Sequence, residues 1–349
     1  MLLSKHVGRY SNLPFHIEFT NVKSEPPHYH EELEIVFVLQ GTVKYKLFHQ
    51  EYEINEGELL IVDTEDLHYI CDSSEDIVMI NMYIDITGFE TVYPNIDYMI
   101  FACEYIGDEP EEIRQRLENK MANLKTTMSD LMNLTLLKPH DDTIVRQKLD
   151  KLISVLVEHF QAFRFEQHRY KVLDDSMPSK SMETVYNIFR YIYDNYSEKL
   201  SLEIIADAVG FSPSYISHLV KETCGLTLQE LINYVRVEFA AKLMQTPSLT
   251  LTQVSENSGF SSLPYFNKCF SEWYDMTPAQ YRKKHRPTVT ETHGKLDMTR
   301  CISLLENYTQ KPINTDIYMM RELTGILSEM SKDELWLMLQ LARKIRQTG

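Results

Sequence analysis

A chain of 349 residues is long enough for two or three domains, and 43% hydrophobic with 25% charged residues is a globular balance, which excludes a disordered or fibrous chain. No apolar run reaches the length of a membrane span, and Met1 to Phe15 lacks the apolar stretch of a signal peptide. The net charge of −16 lies almost wholly in the front half: residues 1–180 hold 17 Lys and Arg against 32 Asp and Glu, whereas residues 181–286 hold 10 against 11, so charge alone does not point to nucleic acid.

From His16 to about Ile86 the pattern predicts strands. Leu33 to Leu39 is apolar and β-branched and is stopped by Gln40-Gly41, Val43 to Leu47 alternates, and Tyr52 to Val62 ends in an apolar run. Short strands with Gly-containing turns at this spacing predict a β-barrel or sandwich over residues 1–105. From Glu111 to about Tyr170 the period becomes helical. Ile113, Leu117, Met121, Leu124, Met128 and Leu131 form one stripe, and Val145, Leu149, Leu152, Leu156 and Phe160 another. They predict a helical hairpin over 106–172, which either covers the barrel or forms a dimer seam. Residues 173–182, polar and with Pro178, predict a linker.

Beyond the linker two similar units stand about fifty residues apart. The first runs from Leu202 through Gly210-Phe211-Ser212-Pro213 to Lys221, the second from Leu251 through Gly259-Phe260-Ser261-Ser262 to Phe270. In each a short amphipathic helix ends at a glycine suited to a left-handed turn, and a Ser-capped second helix follows. Phe211 and Phe260 are expected between the paired helices, with Tyr215, Ile216, Leu219, Phe266, Phe270 and Trp273 in the core. One long helix, Thr227 to Gln245, joins the units. A duplicated helix, tight turn and capped helix predicts a double helix-turn-helix over 183–286, with second helices that enter the major groove.

These residues resemble the AraC/XylS-type regulator domain, most diagnostically through Tyr265-Phe266-Asn267-Lys268 and the Thr277-Pro278 to Tyr281-Arg282 close. The resemblance implies a cytoplasmic, sequence-specific regulator of transcription. Such a regulator is usually an activator, a homodimer that meets a double-stranded DNA operator and RNA polymerase, and neither an enzyme nor a membrane protein. It places base contacts at Ser214, Ser217, His218, Leu263, Pro264, Asn267 and Lys268. Lys221, Lys242, Arg282, Lys283 and Lys284 are candidates for phosphate contacts. A basic residue is common where His218 stands, and Pro264 fills a place often polar or small. The five cysteines, Cys71, Cys103, Cys224, Cys269 and Cys301, are odd in number and lack a CxxC, as expected of free thiols in a reducing cytoplasm.

In the front domain His28 and His30 share one face of an extended segment, and Glu34 lies further along the same side. With His68 they can offer three nitrogens and a carboxylate. The spacing is similar to that of the cupin barrel, whose metal-ligand positions fall on His28, His30, Glu34 and His68. Its second motif is altered, with Asp63 and Glu65 where Pro and Gly are expected. Three readings stay open here. A small polar effector, such as a carbohydrate, enters a pocket of His16, His28, His30, Glu34, Tyr45, His68 and Tyr83, with no cofactor. Alternatively a divalent transition metal sits there, or the barrel is a metal-dependent cupin enzyme with a helical appendage. The fold class expected is thus multidomain α+β: a cupin-like barrel, a helical hairpin, an all-α double helix-turn-helix and a helical extension over 287–349. In that extension Ser331 to Glu334 resembles a capping box ahead of an apolar face with Trp336, Leu339 and Ile345. The extension either caps an apolar face of its neighbour or adds a partner-binding element.

Overall fold

The computed structural model describes residues 13–47, 50–103, 111–137, 141–166, 169–172, 179–285 and 291–310. Eight strands build the front domain: β1 (Phe15–Thr20), β2 (Val22–Ser24), β3 (Leu33–Gln40), β4 (Thr42–Leu47), β5 (Gln50–Asn55), β6 (Leu59–Val62), β7 (His68–Ser73) and β8 (Val78–Ile84). One antiparallel sheet has the order β1-β8-β3-β6 and a second has β5-β4-β7. Gly57, with φ 80, divides the expected Tyr52 to Val62 run into β5 and β6.

The apolar run of β3 has a physical reason: both of its faces are buried. Val36 and Val38 join Val43, Tyr45, Leu60 and Val62 between the two sheets. Leu33, Ile35, Phe37 and Leu39 face the other way, into a larger core that includes helices α1 (Glu111–Met132) and α2 (Asp142–His159). Leu124, Met128 and Leu131 of α1 and Val145, Leu149, Leu152 and Leu156 of α2 are buried there. These residues of the two helical stripes therefore cover the barrel, and they are already shielded within one chain.

Helix does not continue to Tyr170. After α2, β9 (Ala162–Glu166) and β10 (Arg169–Val172) pair as an antiparallel hairpin. Phe163 and Phe165 alternate with Arg164 and Glu166, a period of two that the helical reading passed over. The expected linker also ends early, because α3 (Ser179–Asn195) starts inside it.

The double helix-turn-helix follows as α4 (Leu202–Val209), α5 (Pro213–Cys224), α6 (Leu228–Leu243), α7 (Leu251–Asn257), α8 (Leu263–Tyr274) and α9 (Pro278–Lys284). Each begins on a side-chain cap: Ser201, Ser212, Thr227, Thr250, Ser262 and Thr277 accept from a backbone N–H of the first turn. Three are reciprocal capping boxes, closed by Glu230, Gln253 and Gln280. Each cap contributes about 1 kcal/mol, which matters for helices of seven or eight residues that are marginal alone. Gly210 and Gly259 take φ of 77 and 78, as their turns require.

The chain then returns to the barrel. β11 (Thr292–His293) pairs with β2, and α10 (Met298–Gln310) buries Cys301 and Leu305 and sets Tyr308 against Phe37, ring centroids 4.7 Å apart. Among its described residues the extension therefore acts as a cap, though on the barrel. Trp336, Leu339 and Ile345, with the Ser331 to Glu334 capping box, lie outside the described residues. Among the described residues no helix is long and apolar enough to cross a membrane.

Candidate functional site

Helices α5 and α8, the expected reading helices, present an exposed face. Ser214, Ser217 and His218 on α5 are exposed, as are Pro264, Asn267 and Lys268 on α8, with Leu263 half-buried. Ile216, Leu219, Phe266, Phe270 and Trp273 are buried behind them. His218 Nδ1 lies 3.3 Å from Glu222 and Lys268 Nζ 3.7 Å from Glu272, each pair one turn along its helix. Such exposed pairs bind weakly and can be exchanged for other partners.

Two aromatic expectations need correction. Phe211 and Tyr215 are 45% and 40% exposed and stack on each other with centroids 4.9 Å apart. Their counterparts in the second unit are covered: Phe260 is buried against Phe266, and Tyr265 is half-buried and accepts a hydrogen bond from Asn233. The Gly259 turn of the second unit packs against the turn that follows α3, at Tyr196 and Ser197.

The phosphate candidates divide. Lys221, Lys283 and Lys284 are exposed, and Lys221 Nζ also caps α5 through the Gly225 carbonyl at 2.8 Å. Arg282 is half-buried and donates to the Leu249 carbonyl at 2.7 Å, so part of its guanidinium holds the approach to α7. Lys242 is corrected outright. It is buried, and its ammonium meets Glu65 of the barrel at 2.9 Å, so it does not lie on the exposed face.

Inside the barrel, between the two sheets, the structure gathers the second set. His28 and His68 exchange backbone hydrogen bonds of 3.0 Å, and His68 opens β7. Glu34 on β3 pairs with Tyr83 on β8. One ring nitrogen from each of His28, His30 and His68 lies within 4.8 Å of the others, and all three residues are buried. Each Nδ1 is committed to a backbone carbonyl: His28 to Pro26 at 3.1 Å, His30 to Glu32 at 2.9 Å and His68 to Asp66 at 2.8 Å. A carbonyl only accepts, so Nδ1 carries the proton and a neutral ring leaves its Nε2 lone pair facing inward.

Glu34 closes the cluster, with Oε2 3.3 Å from His30 Nε2 and 3.2 Å from His68 Nε2. Asn81 donates to the other oxygen at 2.7 Å and also to the Tyr83 hydroxyl at 3.1 Å. Burial works to raise the Glu34 pKa, but the hydrogen bond from His30 and the close His30 and His68 rings outweigh it and hold the carboxyl well below its usual range. Burial likewise works against a charged His68, and Glu34 outweighs it to leave that pKa raised. His68 Nε2 makes no hydrogen bond of good geometry despite the near carboxylate. The tautomers, the backbone carbonyls that hold each Nδ1 and the short spacing fit a divalent transition metal.

Tyr45 and Tyr83 are buried beside the cluster and stay protonated, chiefly through burial and then through the Glu34 charge. His16 sits at the edge, half-buried, with its ring 6.1 Å from that of Tyr83. The sequence reading missed Glu25 and Asn81. Glu25 is buried with its carboxylate 3.9 Å from His28 Nε2, three residues ahead in the chain. Asn81 shows itself in the sequence only as a polar interruption of apolar β8.

The chain matches the helix-turn-helix domain family over residues 205–284 and the cupin domain family over 16–83. It is similar to an uncharacterized HTH-type transcriptional regulator of Bacillus subtilis, YdeC, 25% identical over 279 residues, spanning 74% of this chain and 86% of that protein. It is also similar to YijO of Escherichia coli, an uncharacterized HTH-type transcriptional regulator, 31% identical over 113 residues, 32% of this chain and 40% of that protein. Among solved structures, ToxT from Vibrio cholerae is similar at 14% identity with a TM-score of 0.41, over 79% of this chain and 99% of ToxT.

Proposed function

We propose that this chain is a DNA-binding transcription regulator of the AraC type, an activator whose hold on its operator responds to a small polar effector captured in the barrel. Ser214, Ser217, His218, Leu263, Pro264, Asn267 and Lys268 are its base-reading positions, and Lys221, Lys268, Lys283 and Lys284 are the exposed cations among its proposed contacts. Asn267 suits adenine, Leu263 a thymine methyl, and His218 offers a single hydrogen bond where an Arg would fork onto guanine. With so few cations, operator binding by two copies together, in the cytoplasm and beside RNA polymerase, is the arrangement that suits the chain.

The observation that carries the effector reading is the convergence of three buried imidazoles on Glu34 with every Nδ1 spoken for. Nitrogens this close leave little space for a sugar among them and suit one ion. His28, His30, His68 and Glu34 would hold a divalent transition metal, which supplies positive charge where protons otherwise sit and attracts oxygen donors of an effector. Tyr83, Tyr45 and Asn81 then orient the effector by hydrogen bonds. A metal-dependent cupin enzyme is not favoured, since the helix-turn-helix half already supplies an output for the barrel.

Metal analysis of chain purified without chelator, repeated on His68→Ala, tests the site. Stoichiometric metal that the variant loses is expected; equal metal in both proteins overturns it. Selection of bound DNA from random sequence is expected to return one enriched motif with paired half-sites, and no enrichment sinks the operator-binding role.

A further inference from the structure

The loop from Asp63 to Leu67 joins β6 to β7 and is fastened to the histidine site. Glu65 within it has a φ of 60, a left-handed conformation that glycine adopts freely and other residues rarely. Its N–H donates to the His30 carbonyl at 2.7 Å, and the loop ends at His68, which is bonded to His28. A glycine would suit that backbone better, yet a carboxylate stands there and points out of the barrel. It meets Lys242 Nζ at 2.9 Å.

Lys242 belongs to α6, the helix that joins the two helix-turn-helix units. It is 9% exposed, and its ammonium lies 5.3 Å from the centre of the Tyr29 ring and 4.9 Å from that of Phe239. Tyr29 sits between His28 and His30 in the chain. One residue past His68, the Tyr69 hydroxyl meets His285 Nδ1 at 2.6 Å, just beyond α9. A single loop and strand thus touch the site, the joining helix and the end of the DNA-binding segment.

We propose that the Glu65–Lys242 pair couples the histidine site to the DNA-binding segment, with Lys242 a positioning residue that sets how α6 sits on the barrel. The proposal rests on the reading of His28, His30 and His68 as the effector-responsive site. A ligand that draws the three Nε2 atoms to one centre shifts the backbone at His30 and His68. Glu65 is hydrogen-bonded to the first and three residues from the second, so it moves with them. Lys242 without that carboxylate is a cation held away from water between aromatic rings, which makes docked and released arrangements discrete. By linkage, whatever docking does to ligand affinity, the ligand does to docking.

The test is amide hydrogen exchange over residues 236–246 of the full chain, without metal, in the wild type, His68→Ala, Lys242→Met and the double variant. Each single change is expected to speed exchange there about tenfold relative to residues 145–156 of α2, and the double variant to exchange no faster than the faster single. Effects that multiply in the double variant overturn the coupling. Should His68→Ala fail to fold, Glu65→Gln takes its place in the cycle under the same criterion. Co²⁺ is then added as the probe. A visible absorption band in both wild type and Lys242→Met, with an exchange response in 236–246 of the wild type only, supports the coupling. A band with no exchange response in the wild type overturns the coupling alone. No band in the wild type sinks the metal reading alone, and the metal-free cycle still decides the coupling.

Discussion

Gly210 and Gly259 hold the same left-handed turn in the two helix-turn-helix units, yet only Gly259 lies against another backbone. A Cβ at Gly259 would stand 2.3 Å from the Tyr196 carbonyl oxygen and 2.9 Å from Ser197 Cα, whereas one at Gly210 would meet nothing within 4 Å. Arg236 reinforces that contact, donating to the Tyr196 and Glu198 carbonyls at 2.8 and 2.7 Å. Gly210→Ala is therefore expected to cost about 1 kcal/mol, the strain of a left-handed alanine. Gly259→Ala should cost about 3 kcal/mol or more, because backbone has to move as well. Urea unfolding of the two variants checks this, and equal losses would show that the turn after α3 does not brace the second unit.

The exposed face of α5 and α8 leads to a prediction on operator binding. Ser217→Ala combined with Asn267→Ala should weaken a selected operator by about tenfold to a hundredfold and leave non-specific binding unchanged. Removing Lys283 or Lys284 should weaken both alike. The slope of log affinity against log salt should be only about −3 to −4 per protomer, given the four exposed cations among the proposed contacts, Lys221, Lys268, Lys283 and Lys284. Fluorescence anisotropy at several salt concentrations measures all three quantities, and unchanged operator affinity in the double variant removes Ser217 and Asn267 as base contacts.

Local punctuation made the DNA-binding half legible in the sequence. Caps, glycine turns and the helical period are short-range signals, and Ser212, Thr227, Ser262 and Gly259 all stand where those signals require. The barrel strands were legible for the same reason, and so was the gathering of His28, His30, Glu34 and His68. Burial from outside the element was not legible. Phe211 and Phe260 sit in similar strings, yet Phe260 is buried against Phe266 while Phe211 is 45% exposed and stacks on Tyr215. Lys242 looked like a phosphate contact because its partner Glu65 is 177 residues away. Glu65 itself looked like a decayed motif position, whereas it supplies an ion pair. The β9–β10 hairpin was lost because a helical stripe had been carried past its end.

Helix α10 bears on stability. Leu305 is fully buried, Cys301 is 1% exposed, and Tyr308 packs on Phe37 of β3. Leu305→Ala should therefore cost about 2–5 kcal/mol. Truncation after Pro287 should lower the melting temperature of the barrel, since it removes β11 and α10 together. The proposed operator contacts lie elsewhere, so binding at low temperature should survive in Leu305→Ala. Calorimetry together with an operator-binding assay tests this, and a melting temperature unmoved by Leu305→Ala would mean that α10 does not cap the barrel in solution.

His285 makes stability depend on acidity in a defined direction. Burial, with the Lys46 and Lys284 charges adding to it, holds its pKa at about 4, below the ordinary 6.5. Burial of Tyr69 pushes that phenol up, so Tyr69 donates and neutral His285 accepts at Nδ1. Between pH 6.5 and 4 the unfolded chain takes a proton here that the folded chain refuses. This contribution is therefore complete above pH 6.5 and falls away as pH drops through that window to 4. The slope is at most about 1.4 kcal/mol per pH unit, and less where water reaches the ring. Asp66, raised to about 7 by burial, acts in the opposite sense and is present in every variant. The informative quantity is thus the difference between wild type and His285→Gln. Urea midpoints measured from pH 7 to 4 should show the wild type losing more stability than His285→Gln over this range. Parallel pH profiles would mean that His285 is already protonated, or already exposed, where it meets Tyr69.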